Sequence, residues 1–378
     1  MRPVWAEIDL AAVRHNVGVL RQLSSPAELC AVVKADAYGH GAVPVARAAV
    51  DAGATWLAVA LVEEAVELRR AGIGGRVLLL SEPVVEAFPM VVHHHLTPVV
   101  TSPTGTAAAA AAVAAAGAEP LPVHLKVNTG MNRVGVEPSD AVELAARIVA
   151  TPELRLEGVM THLAVADEPG HPFTAEQLRR FDEVLARLGA EGIEPDVVHA
   201  ANSGGAILHP RSRRDVVRCG IAVYGLPPAP GTADGLDLRP VMRLRAEVAS
   251  TRAVDAGIGV SYGLRHTTSR PTVLATVPIG YADGVPRHLS SVGGEVLIGG
   301  RRCPMVGVVT MDQVVVDVGP ADGPGGEVRP GDEVVLLGEQ GGEVIGAGDW
   351  AEALGTISYE IVCGLGPRVP RRYHDAGS

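Results

Sequence analysis

The feature that most constrains the fold is an alternation of two hydrophobic periods through the first 225 residues. Eight short apolar runs recur there: LCAVVK (Leu29 to Lys34), WLAVA (Trp56 to Ala60), VLLL (Val77 to Leu80), LTPVV (Leu96 to Val100), VHLKV (Val123 to Val127), GVMTHL (Gly158 to Leu163), DVVHA (Asp196 to Ala200) and VVRCGI (Val216 to Ile221). Runs of this length read as buried strands. Between most of them lie helix-like stretches, such as Ala141 to Ala150 and Thr174 to Ala190. The alanine tract Ala107 to Ala116, closed by Gly117, reads as another helix. Strand-then-helix units in this number predict a (β/α)8 barrel. A doubly wound open sheet would carry a glycine fingerprint after a strand. Its nearest match, GIGG at Gly72 to Gly75, precedes one.

The pattern then changes. GLPPAPGTADGLDLRP (Gly225 to Pro240) is a proline- and glycine-rich break. After it come EVASTRAV, TVLATVPIG, EVLIGG, QVVVDVG and EVVLLG, short β-type runs separated by glycine turns. These predict a barrel over residues 1–235 and a smaller, mostly antiparallel β domain over 236–378, which includes a short helix at Asp349 to Leu354. No internal repeat is visible.

Composition narrows the function. A formal charge of −11 argues against nucleic acid or an anionic membrane as partner. Four cysteines (Cys30, Cys219, Cys303, Cys363) form no CxxC pair. They predict reduced thiols in a cytoplasmic protein, without a zinc site. The start, MRPVWAEIDL, has no apolar h-region, so no secretory signal is expected. No apolar run reaches membrane-spanning length.

Barrel enzymes carry their catalytic groups at the C-terminal ends of strands. Here those ends hold Lys34, Lys126 (with Arg133 in the loop beyond), His162, His199 and, within the last strand, Arg218. Lys34 closes an apolar run and opens VVKADAYGHG. A desolvated lysine is a nucleophile, and one use for it is a Schiff base with an aldehyde cofactor. HAANSGGAIL places Asn202-Ser203-Gly204-Gly205 at a helix start, which suits a phosphate. Gly220 and Ile221 follow the last strand, where barrels often bind phosphate. An aldehyde-reactive lysine beside a phosphate cradle suggests pyridoxal 5'-phosphate. Each residue alone has a plainer reading: a snorkelling lysine, salt-bridge arginines, satisfied core histidines. The triplet His93-His94-His95 reads as a solvated turn rather than a metal site. Asp283 and Asp312 read as turn or strand-end residues rather than an acid–base pair.

These motifs also carry a family resemblance. VVKADAYGHG, LKVNTGMNRVG, THLAVAD, HAANSGG, VRCGIAVYGL, VSYG, PIGYADG and VTMDQVVVD resemble, in order and over nearly the whole chain, the motifs of alanine racemases of the fold-type III pyridoxal-phosphate class. The resemblance implies interconversion of L- and D-alanine for peptidoglycan. Lys34 would be the Schiff-base lysine and one base. Tyr262 would be the second base, reaching into the site of a partner subunit. That implies a homodimer with shared active sites and a small amino-acid substrate. Arg218 would contact the pyridine nitrogen. Tyr38, Ser203, Gly220, Ile221 and Tyr359 would hold the phosphate, with His162 and Asn202 beside the cofactor. Arg133 and the Met311 amide would bind the substrate carboxylate. His162 and His199 would orient Tyr262 and Arg218. Tyr281 and Tyr359 would narrow the entrance, and Asp312 would lie just behind the site. The counterpart of Lys126 is often carbamylated.

The chain departs from the pattern at Asn128, where aspartate is common, and at Thr310, where some members have cysteine. A broader alanine/serine racemase, a fold-type III decarboxylase and a non-catalytic cofactor carrier are the competing readings. A decarboxylase resembles a different pattern around the position of Tyr262. A carrier resembles a lone barrel.

Overall fold

The computed structural model describes residues 2–375. Its described residues divide into two compact units, one of residues 12–37 and 41–239, the other of 2–11, 38–40 and 240–375.

The first unit is the barrel. Its strands are β2 (Glu28–Val32), β3 (Trp56–Val59), β4 (Arg76–Leu79), β5 (Val99–Val100), β6 (Leu121–Lys126), β7 (Leu154–Met160), β8 (Val197–His199) and β9 (Val216–Cys219). They form two parallel four-stranded sheets, β4-β3-β2-β9 and β5-β6-β7-β8. A parallel bridge between Leu78 and Thr97 joins β4 to the segment before β5. The amides of Asp215 and Arg218 donate to the carbonyls of Val198 and Ala201, each at 3.0 Å, and join the other edges. All eight predicted strands and the barrel class are therefore present. Helices Pro103–Ala116, Ala141–Val149 and Phe173–Ala190 lie where the periodicity places them. Gly117 ends the alanine helix in the left-handed conformation, φ +58°, a geometry that costs glycine least. Core side chains such as Trp56, Leu57, Leu78 and Leu79 are at most 2% exposed, each contributing roughly 1.5–3 kcal/mol by leaving water.

The second unit is a mostly antiparallel sheet. Its path runs Ser250–Val254, Thr272–Val277, Val314–Gly319, Arg301–Val306, Glu295–Ile298, Glu333–Gln340, Met242–Glu247, β1 (Val4–Asp9) and Arg371–His374. Alternation sets its register: Val314, Val316 and Val318 are buried while Val315, Asp317 and Gly319 are not. The opening residues hydrogen-bond into this sheet. Val4–Asp9 pairs antiparallel with Met242–Glu247 and parallel with Arg371–His374, so main-chain hydrogen bonding places β1 in this unit. Residues 38–40 group there as well. His93 closes a helix, Phe88–His93, and His94 and His95 form the turn after it, with His93 and His95 exposed. Among the described residues no His, Cys, Asp and Glu cluster could hold a metal ion, and no helix is long and apolar enough to cross a membrane.

Candidate active site

The predicted residues fall into two groups, one on each unit. In the barrel, β2 ends at Val32, and Lys34 opens a helical turn, Lys34–Gly39, rather than closing the strand. That turn is wound the unusual way: Ala35, Asp36, Ala37 and Tyr38 have φ between +52° and +54°. A left-handed residue with a Cβ costs about 1–2 kcal/mol, so the fold must hold the turn by other bonds. The Glu64 carboxylate accepts from the Ala35 amide at 2.6 Å, and also from Ala60 and Leu61. Asp36 Oδ1 accepts from the Ala42 amide at 2.7 Å. These bonds fix the backbone on which Lys34 stands.

Arg218, in β9, is 2% exposed. Its Nη2 donates to the carbonyls of Thr161 at 2.8 Å and Ala200 at 3.0 Å, and lies 3.3 Å from His162 Nδ1. Its Nη1 lies 2.9 Å from His199 Nδ1. Burial is the largest influence on both histidines, and the Arg218 charge is the next. Together they push each imidazole well below its ordinary pKa, so both are neutral. Burial also lowers the Arg218 guanidinium to about 10, which leaves it cationic at neutral pH. Its Nε–H has no protein acceptor among the described residues.

Asn202 caps the short helix Ser203–Leu208, its Oδ1 accepting from the Gly205 amide at 2.9 Å. Ser203 Oγ, buried, accepts from the Gly220 amide at 3.0 Å. The predicted phosphate residues after β8 and β9 are thus tied together. Arg133 is exposed, on a loop that Asn128 organises. Asn128 Oδ1 accepts from the amides of Gly130 and Asn132, and its Nδ2 donates to Asn132 and Glu137. An aspartate could not make those two donations.

Lys126 is 5% exposed and donates to the Leu80 carbonyl at 2.9 Å. Burial first, then the charges of Arg218, Arg133 and Lys34, lower its ammonium to about 8. The folded state therefore binds fewer protons than the unfolded chain between about pH 8 and 10.5. Stability should rise with pH across that window, and the charged amine should cost roughly 3 kcal/mol below it. Lys126→Met is expected to flatten this rise, which urea denaturation at pH 7 and pH 10 would check. An equal rise in both proteins would show another group to be responsible.

In the second unit, Tyr262 sits at the tip of a hairpin, Gly259–Val260 paired with His266–Thr267, and is 76% exposed. Ser261, Gly263 and Leu264 have φ of +61°, +73° and +48°. Ser261 Oγ donates to the Val308 carbonyl at 2.7 Å. Tyr281 and Met311 are brought together: the amides of Tyr281 and Ala282 donate to the carbonyls of Thr310 and Met311, each at 3.0 Å. A Cβ on Gly280 would lie 2.3 Å from the Thr310 carbonyl oxygen, so only glycine admits this approach. Asp312 binds Arg368 at 2.6 Å, and Arg368 also reaches Asp283 at 3.2 Å. Asp283 is fully buried. It accepts from Arg2 at 2.7 Å and from the Gly280 amide at 3.0 Å, a structural role as the sequence suggested. The rings of Tyr38 and Tyr359 lie 6.0 Å apart.

Two residues escaped the sequence reading. His124 and Glu157, 1% and 4% exposed, extend the polar chain beyond His199. The available signal was spacing: His124 and Lys126 are two apart on one strand and so share a face.

Known proteins agree with this architecture. The family described as "Alanine racemase, N-terminal domain" matches residues 8–228, and "Alanine racemase, C-terminal domain" matches 241–373. An alanine racemase of Symbiobacterium thermophilum is 50% identical over 99% of this chain and 97% of its own. One of Streptomyces coelicolor is 46% identical over 97% of this chain and 95% of its own. The crystal structure of alanine racemase from D-cycloserine-producing Streptomyces lavendulae is 44% identical, with a TM-score of 0.93 over 100% of this chain and 98% of that one. That of Bacillus anthracis, with bound L-Ala-P, is 38% identical with a TM-score of 0.91, over 100% and 96%. Two domain matches in order, with full-length relatives at this identity, place the chain in the alanine racemase family, enzymes of the amino-acid racemase class.

Proposed function

We propose that this chain interconverts L- and D-alanine with pyridoxal 5'-phosphate, supplying D-alanine for peptidoglycan. The observation that carries the cofactor reading is Arg218. A buried guanidinium that spends Nη1 and Nη2 on protein acceptors and keeps Nε–H unpaired fits a ring nitrogen that must accept. Guanidinium only donates, so that nitrogen would stay unprotonated. Lys34 would hold the aldehyde carbon. Ser203 and the backbone at Gly220 and Ile221, with Tyr38 and Tyr359, would hold the phosphate, with Asn202 and His162 beside the cofactor. When bound, the cofactor draws electron density from the substrate and acidifies its Cα proton.

The protein's own groups then decide the stereochemistry. Arg133 and the Met311 amide would hold the substrate carboxylate, and Tyr281 would narrow the entrance. Lys34 Nζ would move the proton on one face and the phenol oxygen of Tyr262 of the partner subunit on the other. Neutral His162 can accept or donate without adding charge. His199 would orient Arg218. The active form would be a head-to-tail homodimer with two shared sites. The reading is supported by an exposed Tyr262 on a pinned hairpin. The proposed location is the cytoplasm, consistent with Cys30, Cys219 and Cys303 being free, buried thiols.

The test is borohydride reduction and peptide mapping of one portion of the cofactor-loaded protein, and assay of the unreduced portion with each alanine enantiomer. The adduct is expected on Lys34, and both enantiomers should reach one equilibrium mixture. An adduct elsewhere, or turnover without cofactor, would overturn the reading.

A further inference from the structure

Arg218 does not end its hydrogen bonding at His199. His199 Nε2 lies 2.8 Å from His124 Nδ1, and His124 Nε2 lies 3.2 Å from Glu157 Oε2. Glu157 Oε1 in turn accepts from Arg155 at 3.0 Å and lies 3.9 Å from Arg76. Gly158 makes room for the chain: a Cβ there would sit 2.7 Å from the His124 ring. Trp56 closes the other side with an edge contact, ring centroids 5.4 Å apart.

The direction of this chain follows from its ends. Arg218 can only donate, so His199 Nδ1 accepts and its Nε2 carries the proton. That proton faces His124 Nδ1, which therefore accepts, so His124 Nε2 carries its proton and donates to Glu157. In the reverse arrangement Glu157 would be protonated and donating. His199 would then turn an N–H toward the guanidinium, donor against donor. The bonds to His124 and Arg155 lower the Glu157 carboxyl to about 2, against the effect of burial, and burial holds His124 below its ordinary value. An ionised acceptor at the far end and a cation at the near end select one tautomer pair between them.

We propose that His124 and Glu157 are positioning residues for Arg218: through His199 they lock the tautomers that keep an acceptor facing Nη1 and so aim the guanidinium. This rests on Arg218 facing the cofactor ring, but the tautomers themselves do not.

The experiment is nitrogen-15 NMR of the cofactor-loaded protein labelled at histidine. Signals are assigned from His124→Gln and His199→Gln. In the unaltered protein both imidazoles are expected neutral, protonated at Nε2 and bare at Nδ1. Glu157→Gln offers either a carbonyl or an NH2 group to His124, so its tautomers should mix. kcat should fall on the order of 10-fold with KM for alanine little changed, the scale typical of outer hydrogen-bond partners. Glu157→Asp keeps the charge and should recover the single tautomer. A His199 protonated at Nδ1 would overturn the proposal. So would a Glu157→Gln protein that loses stability with both tautomers unmoved, since the residue would then be structural only. If borohydride places the adduct away from Lys34 while the tautomers stand as expected, the cofactor reading fails and the relay does not.

Discussion

Tyr262→Phe is expected to cut α-proton exchange from L-alanine by about 10²–10⁴-fold, the range for a positioned acid–base group, while exchange from D-alanine survives through Lys34. The variant isolates chemistry from folding. The side chain is 76% exposed in the chain's own fold, and the hairpin is held by Ser261 rather than by the phenol. Removing one oxygen from such a position should change stability by less than about 0.5 kcal/mol. The ring remains, so packing against a partner is kept. Exchange of the α-hydrogen in deuterated water, followed separately for each enantiomer, is the measurement. Equal loss from both enantiomers would reject the division of labour between the two bases.

Arg218→Leu should act on stability as strongly as on turnover. The guanidinium satisfies the carbonyls of Thr161 and Ala200 and the Nδ1 of His199, all inside the barrel. Leucine replaces the volume and supplies no donor. Each orphaned acceptor costs about 1–3 kcal/mol. A loss of about 3–5 kcal/mol is expected, the scale of breaking a buried ionic network from one side. Urea denaturation would read it as a lower midpoint at unchanged slope. The same variant should let the His162 and His199 pKa values rise, because Arg218 is the second-largest influence holding them down. A shift under about 1 kcal/mol would mean that water or a rotated imidazole replaces the arginine's bonds.

The eight barrel strands were legible because each lies in a short, mainly apolar run, most of it buried, and most are separated by helical stretches. The candidate site was legible where polar side chains interrupt those runs, at Lys126, His199 and Arg218. Other features left no local mark. Nothing in VWAEID says that its partners are residues 242–247 and 371–374, since strand pairing is a long-range choice. Ala35 and Ala37 favour right-handed helix, yet the bonds from Glu64 and Asp36 accompany the opposite hand. His124 and Glu157 each read as ordinary residues of a strand. Only the fold joins them, by placing β7 between β6 and β8.

The place of β1 also bears on how the protein is made. Residues 4–9 are synthesised well before their neighbours on both sides, residues 242–247 and 371–374. At about 5–20 residues per second, roughly 10–50 s pass before the first of these neighbours is synthesised. Throughout that interval an apolar strand has two unsatisfied edges, the usual template for aggregation. The barrel can close on the nascent chain, whereas the second unit can be finished only after residues 371–374 have emerged. Translation speed and chaperone supply therefore bear on the yield of this protein through residues 4–9.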